Sequence, residues 1–461
     1  MKKIFSLMMA SALTLAFVAC SSEEDDIFDH SAAERLNSVS AEYSAKLCDS
    51  KGGWIMEYYP YSDNEDMLTG TGYLIVNRFN SDGSVYTAMK NKATYELAAS
   101  TGKITRGMLW EDVSAWEVIT DMGPVLTYNT YNKCYGRFSD PTDIDLTAER
   151  YDDESGKGFQ GDYEFIMVDL PEDGQHIMLK GKKRSIYQRM TRLPEGTDAE
   201  TYLDDIEAFN KNMFFAGAKW ELNMMDHGTR YKMNYTSTMR PTIYPAGRDS
   251  VSYGWHMPFL VTKHADRYCL RFKDSVMVNG TQMEQEFVYN SADDKFHGVV
   301  DANNTIEGGY PTEFFSTIIK KGGSRWTWNA DSEMSDEFKT LYNQIAGEFK
   351  SILTCPLQGM DLRVNGSTLF FCLQYKEGKN TMLVNFVCEL EEKDNHVSIK
   401  YVKDDTVYDG NARQLMPSIQ TMIDLLQTSW KVSETTTRFN LSTLKLTQTD
   451  NSNMWFVVNL K

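Results

Sequence analysis

Seven histidines are the first residues to weigh for catalysis or metal binding: His30, His176, His227, His256, His264, His297 and His396. None stands two or four residues from another, so the chain carries no local zinc pair, and each suits a surface or turn position. Gly156-Lys157-Gly158-Phe159-Gln160-Gly161 spells G-x-G-x-x-G. Acidic Asp152-Asp153-Glu154 precedes it where a strand is needed, and a strand follows where a helix is needed, so it reads as a turn. Asp140, Asp143 and Asp145 could hold calcium but match no calcium-loop pattern, and a solvated turn is the better reading. No Walker loop, H-E-x-x-H or G-x-S-x-G occurs. Carboxylates are too numerous to single out a glycosidase pair. The sequence therefore assigns no catalytic residue, no metal ligand and no cofactor. Trp326 and Trp328 are two apart and fall on one face of a strand. They could stack a sugar ring, but large aromatics are mostly buried, and core is the preferred reading. Tyr58, Tyr59 and Tyr61 pose the same choice.

Cys20 is the one residue whose neighbours specify a reaction. Lys2 and Lys3 open the chain, an apolar run extends from Ile4 through Val18, and Ala19-Cys20 is followed by Ser21-Ser22-Glu23-Glu24-Asp25-Asp26. The run is short for a membrane span, which needs about twenty apolar residues, and suits the core of a secretory signal. A cysteine directly after the small residue matches bacterial lipoprotein signals: the thiol is alkylated by a diacylglyceryl group and cleavage leaves Cys20 first. Residues 1–19 then form the signal peptide and 20–30 an acidic tether. Phe17 departs from the usual Leu three places before the cysteine. Several acyl chains hold far better than the marginal single chain.

Composition bounds the rest. At 461 residues the chain is long enough for two to four domains, and 41% hydrophobic with 24% charged residues marks it as globular. The formal net charge of −18 repels phosphate backbones, so nucleic acid is not an expected partner. Apart from Cys20, six cysteines are scattered without C-x-x-C or metal-like spacing, and buried free thiols are the simplest reading. A disulfide outside the cytoplasm stays open.

Periodicity supplies the elements that would carry any site. Ser31-Ala32-Ala33-Glu34 is a capping box, and Leu36, Val39, Tyr43 and Leu47 recur at helical spacing. Gly52-Gly53 stops that helix and Trp54 begins a strand. Short strands are expected at 72–79, 85–89, 94–97, 125–131, 162–168 and 176–179, with a turn at 80–83. Thr197-Asp198-Ala199-Glu200 reads as a second capping box, with Tyr202, Ile206, Phe209 and Met213 as the apolar face behind it. A third helix is expected over 334–349, and a fourth over 417–426 with Pro417 in its first turn. Strands fill the spaces between. A helix–Trp–strand junction recurs at Trp54, Trp220 and Trp430, a weak internal repeat. The fold class is mainly β with a few helices: tandem antiparallel sandwich- or barrel-like modules, each preceded by a helix, at 31–193, 194–330 and 331–461.

Several stretches resemble one family. Ile27-Phe28-Asp29 and Ala33-Glu34-Arg35-Leu36 lead into Gly52 to Pro60. Gly123 to Tyr128, Tyr131-Asn132, Phe138 to Pro141, Gly161 to Phe165 and Leu179 to Lys183 follow. Together they look like the Bacteroidota lipoproteins grouped as domain of unknown function 4302, specifically as far as about Leu203. Gly136 stands where relatives would carry a His. The resemblance implies no assigned activity. It implies accessory lipoproteins encoded near outer-membrane nutrient-uptake systems, and often near zinc peptidases. The acidic run after Cys20 resembles the export signal that sends such proteins to the outer surface; a solvated tether would look the same.

The expectation is a non-enzymatic binding or accessory component of an outer-membrane uptake complex. It would be held in the outer membrane by Cys20, would face the exterior, and would engage a transporter or a glycan or peptide ligand. A surface hydrolase with a site built from distant residues and a structural or adhesive protein are the alternatives.

Overall fold

The computed structural model describes residues 31–60, 72–90, 109–121, 123–139, 160–169, 171, 173–215, 222–234, 241–308, 325–394, 396–402 and 410–461. The leader, Cys20 and the tether lie outside them, as do the expected strand at 94–97, Tyr61, Trp220, His30 and the Asp140, Asp143 and Asp145 group. Among the described residues no helix is long and apolar enough to cross a membrane. The chain divides into two compact units, one around residues 110–197 and the other holding 198–461.

The first unit is a closed eight-stranded barrel with a helix across one end. Helix α1 (Ala32–Asp49) starts at the expected capping box: Ser31 N–H donates to Glu34 Oε2 at 2.9 Å, and Glu34 N–H donates to Ser31 Oγ at 3.3 Å. Strands β1 (Trp54–Tyr58), β2 (Tyr73–Phe79), β3 (Ser84–Lys90), β4 (Leu109–Thr120), β5 (Pro124–Tyr128), β6 (Glu164–Asp169), β7 (His176–Gly181) and β8 (Tyr187–Arg192) follow in barrel order. β1 closes antiparallel on β8, with Trp54 opposite Arg192. The interior is filled by side chains rather than left open, as small barrels require. A seven-residue helix, α2 (Lys133–Ser139), sits between β5 and β6 and adds Tyr135 and Phe138 to that core.

The helix–Trp–strand junction has a hydrogen-bonding reason. The last carbonyls of a helix have no partner within it. Trp54 Nε1–H donates to the Leu47 carbonyl at 3.0 Å, in the last turn of α1. Gly53, at φ +84°, makes the sharp turn between helix and strand that puts the indole there.

The second unit begins with helix α3 (Ala199–Asn210), which runs into a π-turn at Lys211–Phe215. Its N-cap is Asp198, one residue beyond the expected Thr197: Asp198 Oδ1 accepts from Thr201 N–H at 2.9 Å, while Thr197 Oγ1 donates to Pro194 O. A carboxylate in cap position satisfies the first-turn donor as well as a hydroxyl does. The chain then lays down β9 (Leu222–Asp226), β10 (Thr229–Asn234), β11 (Thr242–Pro245), a short α4 (Ser250–Tyr253), β12 (Trp255–His256), β13 (Phe259–His264) and β14 (Arg267–Phe272). A small ribbon of β15 (Met277–Val278) and β16 (Thr281–Gln282) precedes β17 (Glu286–Asn290), β18 (Lys295–Gly298) and β19 (Thr305–Gly308). Nine of these strands form one open sheet, in the order β12-β11-β10-β9-β19-β18-β17-β14-β13. The β13 edge is covered by α3. The Tyr202 hydroxyl donates to Lys263 O at 3.1 Å and accepts from Lys263 N–H at 3.0 Å. One phenol thus occupies a donor and an acceptor that an open edge would offer to another chain.

The same unit ends in a second closed barrel: β20 (Arg325–Trp328), β21 (Leu357–Asn365), β22 (Thr368–Glu377), β23 (Asn380–Lys393), β24 (His396–Tyr401), β25 (Trp430–Glu434), β26 (Thr443–Gln448) and β27 (Trp455–Leu460). β20 pairs with both β21 and β27, so residues 325–328 already belong to this module, ahead of the expected start at 331. Helix α5 (Asp336–Leu353), capped by Ser335, and α6 (Gly410–Leu426) pack Phe338, Tyr342, Ile345, Leu415, Ile419 and Met422 onto its core. Here the helix follows the first strand instead of leading the module. Pro417 lies inside α6, not in its first turn. Trp430 Nε1–H donates to Leu425 O at 3.1 Å and repeats the Trp54 device. Phe439, from the loop between β25 and β26, enters the core of the nine-stranded sheet beside Phe214 and Phe296. Asp294 fixes that loop by accepting from Thr437 Oγ1 at 2.8 Å and Arg438 N–H at 2.7 Å.

Candidate functional site

The residues singled out by sequence do not come together. Trp326 and Trp328 are 0% and 1% exposed inside the second barrel, and Trp328 stacks near Phe371 and Phe456. Neither ring offers a face to a ligand, so the pair is core and not a sugar platform: their side of β20 faces the barrel interior. Tyr58 and Tyr59 are buried likewise. The described histidines stay apart. His227 Nδ1 pairs with Asp226 at 2.9 Å, and His297 bridges Asp293 Oδ2 at 2.8 Å and Ala302 O at 3.0 Å. Those bonds raise both imidazoles above their ordinary pKa: the Asp226 hydrogen bond leads for His227, the Ala302 carbonyl for His297. Among the described residues no group of three His, Cys, Asp or Glu side chains is placed to hold a metal ion. Cys48, Cys134, Cys269, Cys355, Cys372 and Cys388 are all free thiols; Cys48 and Cys355 are half-buried and the other four buried.

Buried carboxylates, which the sequence did not single out, hold backbone in place. Glu284 is 5% exposed and accepts from Val300 N–H at 3.2 Å, Asp301 N–H at 3.1 Å and Asn304 Nδ2 at 3.2 Å. Asp226 Oδ1 accepts from Glu284 N–H at 2.9 Å. Asp361, fully buried, accepts from Arg363 Nε at 3.0 Å and from Gln374, with Arg325 3.8 Å away. Burial, with Asp361 beside it, pushes the Cys372 thiol well up and keeps it protonated and unreactive. Charges matched in this way are structural partners.

The first barrel holds a buried polar knot. The Tyr128 and Tyr135 hydroxyls lie 2.7 and 2.9 Å from Asn77 Oδ1 and 3.0 Å from each other. Burial raises both phenols far above their usual pKa, so neither ionises in ordinary buffers. Next to it, Asn132 Oδ1 accepts from Cys134 and Tyr135 N–H, and Asp112 Oδ2 accepts from Lys133 N–H at 2.8 Å. These two side chains cap α2. Gly136 lies in that helix, where an added Cβ would stand 2.5 Å from the Tyr131 ring. A His there would have to displace Tyr131.

A groove of about 450 Å³ lies between α1 and the end of β4. Its helix wall is Asn37, Ser40, Ala41 and Ser44, and its strand wall is residues 118–120. Ser40 is 7% exposed, and its Oγ has no hydrogen-bond partner among the described residues. Small side chains on the helix wall leave the space. The size falls within the range of ligand pockets.

Among curated proteins none matches the chain. By structure it is similar to a chain from Eubacterium rectale ATCC 33656 described as a DNA polymerase III beta subunit, at 9% identity and a TM-score of 0.14, covering 93% of this chain and 96% of that one. It is also similar to a double mutant of transferrin binding protein B from Haemophilus parasuis Hp5, at 8% identity and a TM-score of 0.12, covering 88% and 74%. Neither likeness carries an argument at such scores. The model of the family described as domain of unknown function (DUF4302) matches residues 24–291, well past Leu203 and over more than half of the chain, and the chain belongs to that family.

Proposed function

We propose that this protein is a lipid-anchored component of the bacterial outer surface that binds a ligand or a partner for an outer-membrane nutrient-uptake system and performs no turnover itself. The observation that carries the proposal is the order of the first twenty-six residues: Lys2-Lys3, the apolar run 4–18, Ala19-Cys20, then Ser-Ser and four acids. Two further features support a binding role. The buried carboxylates named above are matched to backbone or cationic partners rather than left in a cleft. Two of the β modules are closed barrels, and the β13 edge of the nine-stranded sheet is covered by α3, which suits exposed surroundings.

The test is made in cells. The intact chain should incorporate labelled palmitate, fractionate with the outer membrane and be shaved by external protease, while Cys20→Ala should lose label and membrane association together. Chemical crosslinking on whole cells should then recover an outer-membrane transporter. Membrane association that survives Cys20→Ala would defeat the anchor, and release of product from a glycan or peptide polymer would defeat the non-catalytic role.

A further inference from the structure

We propose that His227 and His297 form a pH-sensitive clamp on the loop 299–304 between β18 and β19, closed while both imidazoles are protonated and loosened as they lose that proton. Residues far apart in sequence hold this loop. His227 stands in the β9–β10 turn, and its backbone N–H donates to Asn304 Oδ1 at 2.8 Å. His297 lies in β18, with Nδ1 3.0 Å from Ala302 O and Nε2 2.8 Å from Asp293 Oδ2. Glu284 accepts from Val300 N–H at 3.2 Å and Asp301 N–H at 3.1 Å. The loop so held presents Val299 and Val300, which are 56% and 92% exposed.

The two rings act differently. His297 faces two acceptors, and only the imidazolium has an N–H for each; a neutral ring has one N–H and one lone pair. The proton that stays goes to the Asp293 carboxylate, the stronger acceptor. Nδ1 and the Ala302 carbonyl then turn lone pairs on each other, and the loop loses that hold. Lys295 opposes protonation of His297 but is engaged by Glu307 at 2.7 Å. His227 acts through charge. Its Nδ1 pairs with Asp226 Oδ2 at 2.9 Å, and Asp301 and Glu284 also face the ring. Asp226 and Glu284 are buried, and among the described residues no Lys or Arg pairs with any of the three carboxylates. Tyr231 on β10, near Asp226, has its phenol pushed up by burial and then by Asp226, so it stays neutral. Loss of the His227 proton therefore removes the cation that faces these buried acids. The turn itself does not ask for an imidazole. His227 at φ 45° and Gly228 at φ 74° occupy the two left-handed places that Asn-Gly or Asp-Gly ordinarily fills. Both rings are raised in the fold, so the clamp is complete below the unfolded value of about 6.5 and is lost as pH rises through the folded values. None of this depends on whether Cys20 carries lipid.

The experiment follows amide exchange of the full chain by mass spectrometry from about pH 6 to about pH 9, a range that spans the titration of a histidine, with each rate divided by the intrinsic rate at that pH. In the unaltered protein, protection of peptides over 299–304 should fall about threefold or more across the range, while peptides from the second barrel keep theirs. His297→Gln keeps one side-chain donor and does not titrate. His227→Asn suits the left-handed turn and does not titrate either. Each substitution should shrink the fall at 299–304, and the two together should abolish it. The single variants carry the test if the double one does not fold. Protection at 299–304 that does not change with pH would overturn the proposal. So would a fall that both single variants leave undiminished, or an equal fall in peptides from every module, which would report global loosening instead of a local clamp.

Discussion

At the scale of single residues, buried polar groups specify this molecule. Asn77 is fully buried and its Oδ1 is the common acceptor for Tyr128 and Tyr135, while its Nδ2 donates to Ile75 O at 3.0 Å. Asn77→Leu would leave two buried phenols with one fewer acceptor. We expect a loss of about 2–4 kcal/mol, read as a lower urea midpoint and faster amide exchange in β2 and β5. Tyr135→Phe, which keeps the Tyr128–Asn77 bond, should lose about 1 kcal/mol. Equal effects of the two substitutions would show that Asn77 is not the hub. His297 gives a pH dependence of definite sign. Both ring nitrogens face acceptors, so the protonated ring is the better partner, and its pKa is raised in the fold. The stabilisation is complete below the unfolded value of about 6.5 and fades as pH rises through the folded one. The gap in melting temperature between the native protein and His297→Gln should therefore narrow from about pH 6 to pH 9; a gap that does not move would contradict the assignment. These roles are not legible in the sequence. Asn77, Glu284 and Asp361 look like any other polar residue, and only the fold reveals that they are enclosed.

At the scale of elements, the recurring tryptophan has a definite task. Trp54 and Trp430 each donate an indole N–H to a carbonyl left over at the end of the preceding helix, Leu47 or Leu425. Trp54→Phe and Trp430→Phe keep an aromatic ring and drop that bond. Each should destabilise its own barrel by about 1–3 kcal/mol and leave exchange in the other barrel unchanged. Uniform loosening of both barrels would contradict the local role. The junction at Trp54 is legible because two glycines and an indole stand out after a periodic helix. So is the capping box at Ser31. β4 is not: Leu109–Thr120 carries Glu111, Asp112 and Glu117, and only Ser114 and Trp116 are buried along it. Nor is α2, whose seven residues contain a glycine and whose caps include Asp112, contributed by β4. Pro417 resembles a first-turn residue and so puts the expected start of α6 too late, although the helix begins at Gly410 and accommodates the ring. The groove shares the difficulty of β4. Its two walls, residues 37–44 and 118–120, are far apart in sequence.

At the scale of the whole molecule, fold class and location are read from different kinds of signal. Short strands with turn residues, separated by amphipathic helices, point to tandem β modules, and two closed barrels with a nine-stranded sheet between them in chain order are what the chain forms. Their limits are less clear, because β20 is separated from β21 by α5 and so reads as the end of one module instead of the start of the next. Location rests on chemistry at a single thiol. If that thiol is acylated, an acidic chain, whose full sequence has a formal charge of −18, is held at a membrane through a short tether, and binding partners are those found at the cell surface. The most direct measurement is the mass of the amino-terminal peptide of the protein purified from membranes of the organism that encodes it. The account predicts a peptide that begins at Cys20 and carries diacylglyceryl and acyl mass. An unmodified Cys20, or a leader still attached through Met1, would contradict it.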